Sequence, residues 1–214
     1  MVTNLGSFAP TSIDQVDAVV FDLDGVIRHH DRLAQGRIEK YHRLPEGSLF
    51  RAAFGGPLGR RFVRGELDHD EFAMAIGQIV GSIQAATEFL ALRAEIDSAI
   101  VDVVRQVRDR VPVALLTNGS RRTRVELAEA GLSDAFGHIL NSAETGIPKP
   151  EPGAYLNVVA ALGTTPAAIV FVDDYPPNVA GAIEVGMIGH HFVGVDPLIQ
   201  FLRPLLSRAG DPST

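Results

Sequence analysis

Two aspartates one residue apart, Asp22 and Asp24, end the apolar run Ala18-Val19-Val20-Phe21, and Gly25 follows them. A buried strand gains nothing by ending in paired carboxylates, because desolvating charges without partners is costly. If the strand persisted, Asp22 and Asp24 would face the same side, and Gly25 lets the chain turn away. Two carboxylates aimed at one spot call for a cation, and a small set of oxygen donors suits Mg²⁺ rather than zinc. Asp-Gly is also an ordinary turn signal. The choice between the two rests on other polar residues in the same kind of place: Thr117 and Asn118 after Val113–Leu116, and Asp173 and Asp174 after Ala168–Val172. Lys149 lies between Pro148 and Pro150, in a stiff segment that suits a fixed charge. It is one of only two lysines, with Lys40, among 19 basic residues. Where arginine is the default cation, a retained lysine points weakly to a need for a compact point charge.

The elements that must carry these residues alternate. After Asp24 the chain reads as helical from Arg28 to Ala94, with little strand character. An amphipathic helix over Val101–Arg110 then leads into a strand at Val113–Thr117 and a helix at Arg121–Ala130 stopped by Gly131. A strand at His138–Leu140, a helix at Gly153–Leu162 and a strand at Ala168–Val172 come next. A helix at Val179–Val185, a strand at Met187–Val193 and a helix at Leu198–Ser207 complete the series. Such alternation predicts an α/β fold, a doubly wound parallel sheet whose ligand site lies beyond the carboxyl ends of the strands. The stretch from Arg28 is too long for a crossover and reads as an inserted helical cap. The expected division is a Rossmann-like catalytic core over residues 13–27 and 95–208 and a cap over 28–94. Only the ends, Met1–Ser12 and Ala209–Thr214, look loose.

At 214 residues with 46% hydrophobic content, the chain can bury a full core. A net charge of −7 without a basic stripe argues against nucleic-acid binding. Neither a membrane-spanning run nor a signal peptide is legible, so a soluble, cytoplasmic protein without a membrane partner is expected. The absence of cysteine excludes disulfides, thiolate metal sites and a cysteine nucleophile.

In order, Phe21-Asp22-Leu23-Asp24-Gly25-Val26, Leu116-Thr117-Asn118-Gly119, Lys149-Pro150-Glu151-Pro152 and Phe171-Val172-Asp173-Asp174 resemble the four motifs of the haloacid dehalogenase-like (HAD) superfamily, in its helical-cap branch. The resemblance covers nearly the whole chain. It implies a phosphatase in which Asp22 attacks phosphorus and carries the phosphoryl group, while Asp24 protonates the leaving oxygen and then activates water. Thr117 and the backbone amide of Asn118 would bind the phosphoryl oxygens together with Lys149. Mg²⁺ would be held by Asp22, by Asp24 through its backbone carbonyl and by Asp174, with Asp173 and Asn178 supporting them. Chemically, a carboxylate approaching a phosphate dianion needs such charge neutralisation. Three plainer readings stand beside these roles: Thr117 as a helix cap, Lys149 as a solvated surface cation, and Asp173 and Asp174 as helix caps before Pro176. In the family, dehalogenases lack the carboxylate that Asp24 supplies, so its presence favours phosphoryl transfer. A phosphomutase, or a non-catalytic phosphate-binding or interaction module, remains an alternative. Pro148 departs from the basic residue that relatives often carry there.

The implied substrate is a small phosphorylated metabolite, acted on by a monomer or homodimer. Its identity would be read by the cap. Arg28, His29 and His30, and Gly55-Gly56-Pro57 with Arg60, Arg61 and Arg64, are candidates for a second polar contact or form a solvated face. Gly65-Glu66-Leu67-Asp68 with Phe72 resembles a cap segment of relatives. His190 and His191 are expected to cover a sheet edge without chemistry.

Overall fold

Short apolar runs rich in β-branched residues become strands covered on both faces, and their alternate residues must then feed two separate cores. A computed structural model describes residues 12–207. The segments read as loose therefore lie outside the described residues, apart from Ser12, as does residue 208 at the expected end of the core.

In chain order, β1 (Ala18–Phe21) is followed by β2 (Arg28–His29) and five helices: α1 (Arg32–Tyr41), α2 (Ser48–Phe54), α3 (Pro57–Val63), α4 (His69–Val80) and α5 (Ile83–Leu90). Then come β3 (Glu95–Ile96), α6 (Ser98–Arg108), β4 (Val113–Thr117), α7 (Thr123–Glu129), β5 (His138–Asn141), α8 (Ser142–Thr145) and α9 (Pro152–Leu162). The series ends with β6 (Ile169–Asp173), α10 (Pro176–Glu184), β7 (Ile188–His191) and α11 (Val195–Leu206). Five parallel strands form one sheet in the order β5-β4-β1-β6-β7. The order reverses at β1, and that reversal opens a crevice at the strands' carboxyl ends.

Alternation along each inner strand divides the core in two. Val19 and Phe21 of β1, with Leu115 of β4 and Val172 of β6, pack against α6 and α11. Ala18 and Val20, with Leu116 and Phe171, pack against Tyr155 and Val158 of α9 and Ala182 of α10. Each fully buried large side chain of this kind is worth about 1.5–3 kcal/mol. The five helices α1 to α5 have an apolar cluster of their own, centred on Leu49, Phe72 and Ile76, with Phe62 stacked on Phe72 at 3.8 Å between ring centroids. Among the described residues no helix is long and apolar enough to cross a membrane.

Several element boundaries differ from the sequence reading. Arg28–His29 pairs antiparallel with Glu95–Ile96, so the helical segment is entered and left through a two-stranded ribbon. Two residues per strand are too few for periodicity to show. α10 starts at Pro176 rather than at Val179, because proline is well suited to a first helical turn, where its missing N–H has no partner to lose. α6 starts at Ser98 rather than Val101, with the Asp97 carboxylate capping its first amides. α7 starts later than expected, at Thr123, and β7 is shorter, ending at His191.

Candidate active site

The sheet ladder continues one residue past β1: the Asp22 amide donates to the Val172 carbonyl at 2.9 Å. This fixes the Asp22 side chain at the crevice floor, where it is buried. The Lys149 ammonium lies 2.6 Å from Asp22 Oδ1 and 2.7 Å from Asp173 Oδ2. Lys149 is itself buried, which overturns the solvated-cation reading. Burial acts to lower the Lys149 pKa, but Asp22 and Asp173 outweigh it and raise the value. For Asp22, burial is the largest influence and pushes the pKa up, with Lys149 opposing it.

Lys149 is positioned through its backbone. Its amide donates to Asn118 Oδ1 at 2.8 Å, and its carbonyl accepts from Asn118 Nδ2 at 2.9 Å. The Asn118 side chain thus clips the lysine segment to the end of β4, a task that the sequence did not reveal. Asn141, buried at the end of β5, donates from Nδ2 to the Ser120 carbonyl at 2.6 Å and steadies the same loop. A polar residue ending the short run His138-Ile139-Leu140 was the available signal.

Thr117 is buried and its hydroxyl has no hydrogen-bond partner. It does not cap α7, whose N-cap residue is Arg122, so the capping reading falls. A buried unpaired hydroxyl carries a desolvation cost that an incoming phosphoryl oxygen would relieve.

Asp173 accepts from Lys149, from both contacts of Asn178 Nδ2 at 3.0 and 3.1 Å, and from the Tyr175 amide at 2.8 Å. Asp174 is exposed, and its carboxylate lies where a Cβ on residue 25 would be, so Gly25, with φ +92°, is required for that approach. Partial burial and the nearby Asp173 raise the Asp174 pKa. Neither aspartate caps α10 through its side chain.

Oxygens of Asp22, Asp173 and Asp174 lie within 4.8 Å of one another. Three carboxylates share this space with one ammonium, leaving excess negative charge in a largely dry site. An all-oxygen donor set with that excess fits a hard divalent cation such as Mg²⁺.

The Asp24 side chain departs from the expectation that it would face the same way as Asp22. The strand ends at Phe21, the chain turns at Gly25, and the Asp24 carboxylate faces the ribbon. Arg28 Nε and Nη2 donate to its two oxygens at 2.6 and 2.8 Å, and His30 Nε2 lies 3.1 Å away. Burial acts to raise the Asp24 pKa, but the hydrogen bonds from His30 and Arg28 hold it well below the ordinary carboxylate range. Its carboxylate is therefore outside the acidic cluster, while that of Asp173 is inside it.

Other candidates separate. Arg64 docks the helical segment, donating to the Gly146 carbonyl at 2.9 Å and pairing with Glu151, whereas Arg61 pairs with Glu66 on the surface. Gly65, with φ +72°, packs so tightly on the Ala143 carbonyl that any Cβ would collide. Asp68 and Glu71 form a reciprocal cap at the start of α4. His190 stacks on Phe201, with 4.2 Å between centroids, and His191 Nε2 reaches the Asp174 carbonyl at 3.1 Å.

The sequence model of the haloacid dehalogenase-like hydrolases matches residues 16–186. A stretch of 64 residues is 45% identical to flavin mononucleotide hydrolase 1 of Arabidopsis thaliana, covering 30% of this chain and 26% of that protein. The chain thus spans about a quarter of the plant protein's length. A phosphatase of Mycobacterium tuberculosis is 29% identical over 191 residues, 80% of this chain and 85% of its own. In fold, the chain is similar to a HAD family enzyme of Bacteroides thetaiotaomicron crystallised with magnesium and inorganic phosphate. That likeness has a TM-score of 0.69 and 20% identity, covering 82% of this chain and 93% of the other.

Proposed function

The chain belongs to the haloacid dehalogenase-like hydrolases, and from that premise we propose that it is a Mg²⁺-dependent phosphatase of a small phosphorylated metabolite, working through an aspartyl phosphate on Asp22. The observation that carries this reading is the buried pair of Asp22 and Lys149, 2.6 Å apart. A carboxylate held so close to a fixed ammonium is oriented for attack and shielded from the repulsion of an incoming phosphate.

In the proposed reaction Asp22 Oδ1 or Oδ2 forms a bond to phosphorus as the ester O–P bond breaks. The Asp24 carboxylate, held ionised by Arg28 and His30, must leave that pair and take up a proton from solvent, and it then gives this proton to the leaving oxygen. Asp24, now a carboxylate, then removes a proton from water as that water attacks phosphorus, which frees inorganic phosphate, restores the Asp22 carboxylate and reprotonates Asp24. Such acid–base help is typically worth about 10² to 10⁴ in rate. The Thr117 hydroxyl and the backbone amide of Asn118 hold the phosphoryl oxygens, and Lys149 keeps its charge beside them. Asp22, Asp174 and the Asp24 carbonyl are the residues proposed to hold Mg²⁺, with Asp173 and Asn178 supporting the site. When bound, the cation would neutralise charge on the phosphoryl group and on the carboxylates. An alkoxide needs the proton that Asp24 can give and a halide does not, which favours phosphoryl transfer over dehalogenation. The plant hydrolase, the mycobacterial phosphatase and the magnesium and phosphate of the Bacteroides enzyme support the same reading. We place the reaction in a core of residues 13–27 and 95–208, covered by a cap of residues 28–94 that selects the substrate.

The test is phosphate release from sugar phosphates, nucleotides and short-chain acid phosphates, with and without Mg²⁺, by the native chain and by Asp22→Asn. Metal-dependent release confined to the native chain is the expected outcome. Folded native protein that releases no phosphate from any of them overturns the reading.

A further inference from the structure

The peptide that joins Asp174 to Tyr175 is held at both of its poles. Its N–H, on Tyr175, donates to Asp173 Oδ1 at 2.8 Å, and its carbonyl, on Asp174, lies 3.1 Å from His191 Nε2. A carbonyl can only accept, so Nε2 of His191 carries the hydrogen in this contact. Because a peptide is planar, hydrogen bonds at its two opposite ends fix its rotation, and with it the backbone torsion on the carbonyl side of the Asp174 Cα. The Asp174 carboxylate is borne on that Cα and lies exposed against Gly25. The strand register explains why His191 reaches this peptide. His191 of β7 is paired with Asp173 of β6, and the Phe192 amide donates to the Asp173 carbonyl at 2.9 Å. Side chains alternate along a strand, so His190 goes to Phe201 of α11 and His191 to the opposite face. On that face Gly189 has no side chain, and a Cβ there would stand 2.7 Å from Val179 and 2.8 Å from Ile183 of α10. α10 is thereby drawn close onto β7, and the segment leading into it comes within reach of the His191 ring.

We propose that His191 is a positioning residue for the Mg²⁺ site, which sets the orientation of Asp174 by holding its peptide. The role rests on the phosphatase reading, which puts Mg²⁺ on Asp174. Only Asp174 and Tyr175 lie between the end of β6 and the start of α10, so a turn of their shared peptide has to be taken up at the Asp174 Cα. Mg²⁺ accepts little departure from octahedral order, whereas Ca²⁺ adapts to irregular sets of oxygens. A carboxylate whose backbone is free to turn therefore weakens Mg²⁺ binding more than Ca²⁺ binding. Partners of metal ligands are typically worth about 10- to 100-fold in affinity. A bond to the ligand's backbone, rather than to its carboxylate, belongs at the lower end of that span.

The experiment is calorimetric titration of the full chain with Mg²⁺ and with Ca²⁺, in the absence of any phosphate ester. His191→Ala should weaken Mg²⁺ binding about tenfold and Ca²⁺ binding less than about threefold. His191→Gln, whose side-chain amide can donate to the same carbonyl, should recover most of the Mg²⁺ affinity, a rescue that a general loosening of the sheet edge would not give. His191→Asn, whose amide is too short to reach, takes the place of the alanine variant if that one does not fold. Equal losses for the two cations, no loss for Mg²⁺, or a glutamine variant no better than alanine overturn the role of His191 and leave the phosphatase reading standing. A native chain that binds no Mg²⁺, or whose Mg²⁺ affinity is unchanged by Asp174→Ala, overturns the metal site of that reading and this role together.

Discussion

The sheet and the helical segment treat polarity in opposite ways. Of the nine polar or charged residues buried among the described residues, eight belong to the sheet and to the loops and helices that follow its strands, and only Glu39 lies in α1 to α5. Conversely, seven of the thirteen large apolar side chains left exposed belong to those five helices. The sheet encloses its charges, and burial forces each to have a partner: Asp22 with Lys149, Asp173 with Lys149 and Asn178. The helical segment keeps its charges in water, where neighbours are optional. Reaction chemistry can therefore be held rigidly in one region, while the other is free to vary what it meets.

The sharpest way to break this comparison is at the proposed nucleophile. Asp22→Asn should cut phosphate release on the order of 10³-fold or more while the chain stays folded, measured by phosphate assay beside a thermal melt. Next in size is Lys149→Ala, which strands two buried carboxylates and should cost about 3–5 kcal/mol of stability as well as most activity. Its loss should depend on pH. Burial raises the Asp22 pKa from 3.8 to about 8 even with Lys149 opposing, so removing Lys149 leaves it at or above that value. An acid with a raised folded pKa is at full stability below its unfolded pKa and loses it as pH rises toward the folded one. Native chain and metal-free variant should therefore lose the Asp22 contribution alike up to about pH 8, so that the gap in melting temperature between them stays constant from pH 4 to about pH 8 and widens above it. A gap that already widens between pH 4 and pH 7 would contradict this account.

Two smaller effects probe the helical side. Gly65→Val meets both the Ala143 carbonyl and a positive φ, so it should disturb how the segment seats on the core and lower kcat/KM about tenfold, with a far-UV spectrum like that of the native chain. Glu39→Ala removes the acceptor of the Gly47 and Leu49 amides at 2.7 and 2.9 Å. It should destabilise α1 to α5 by about 1–3 kcal/mol, seen as faster proteolytic cutting within residues 32–90, and change turnover of p-nitrophenyl phosphate least of all. The Glu39 pKa is lowered, burial acting to raise it and bonds from Gln35, Leu49 and Gly47 prevailing. The stabilisation it provides is accordingly full above the ordinary carboxylate range and fades as pH falls through the lower folded value.

The parts of this molecule legible in the sequence are those where burial writes a local pattern. β1, β4 and β6 are uninterrupted apolar runs, and each was placed within a residue because both faces of each strand are covered. The polar residues at their ends were legible for the same reason, since a carboxylate or hydroxyl there interrupts the pattern. Contacts between distant segments left no such mark. Nothing near Arg28 points to Glu126, and nothing near Arg64 points to Glu151. The turn of Asp24 toward the ribbon was hidden because the strand stops one residue before Asp22, and a period-two reading presumes that it continues. α8, four residues long, is shorter than any window in which helical periodicity can be counted.

The place of β1 in the sheet has one more consequence. Hydrogen-bonded along both edges, to β4 and to β6, it cannot release its amide hydrogens to solvent by fraying; they exchange only when the sheet itself comes apart. Asp22 rides on that strand's end. On warming, the capacity to form the proposed covalent intermediate should therefore persist until the cooperative melt, while selectivity, if the helical segment supplies it as proposed, fades at lower temperature.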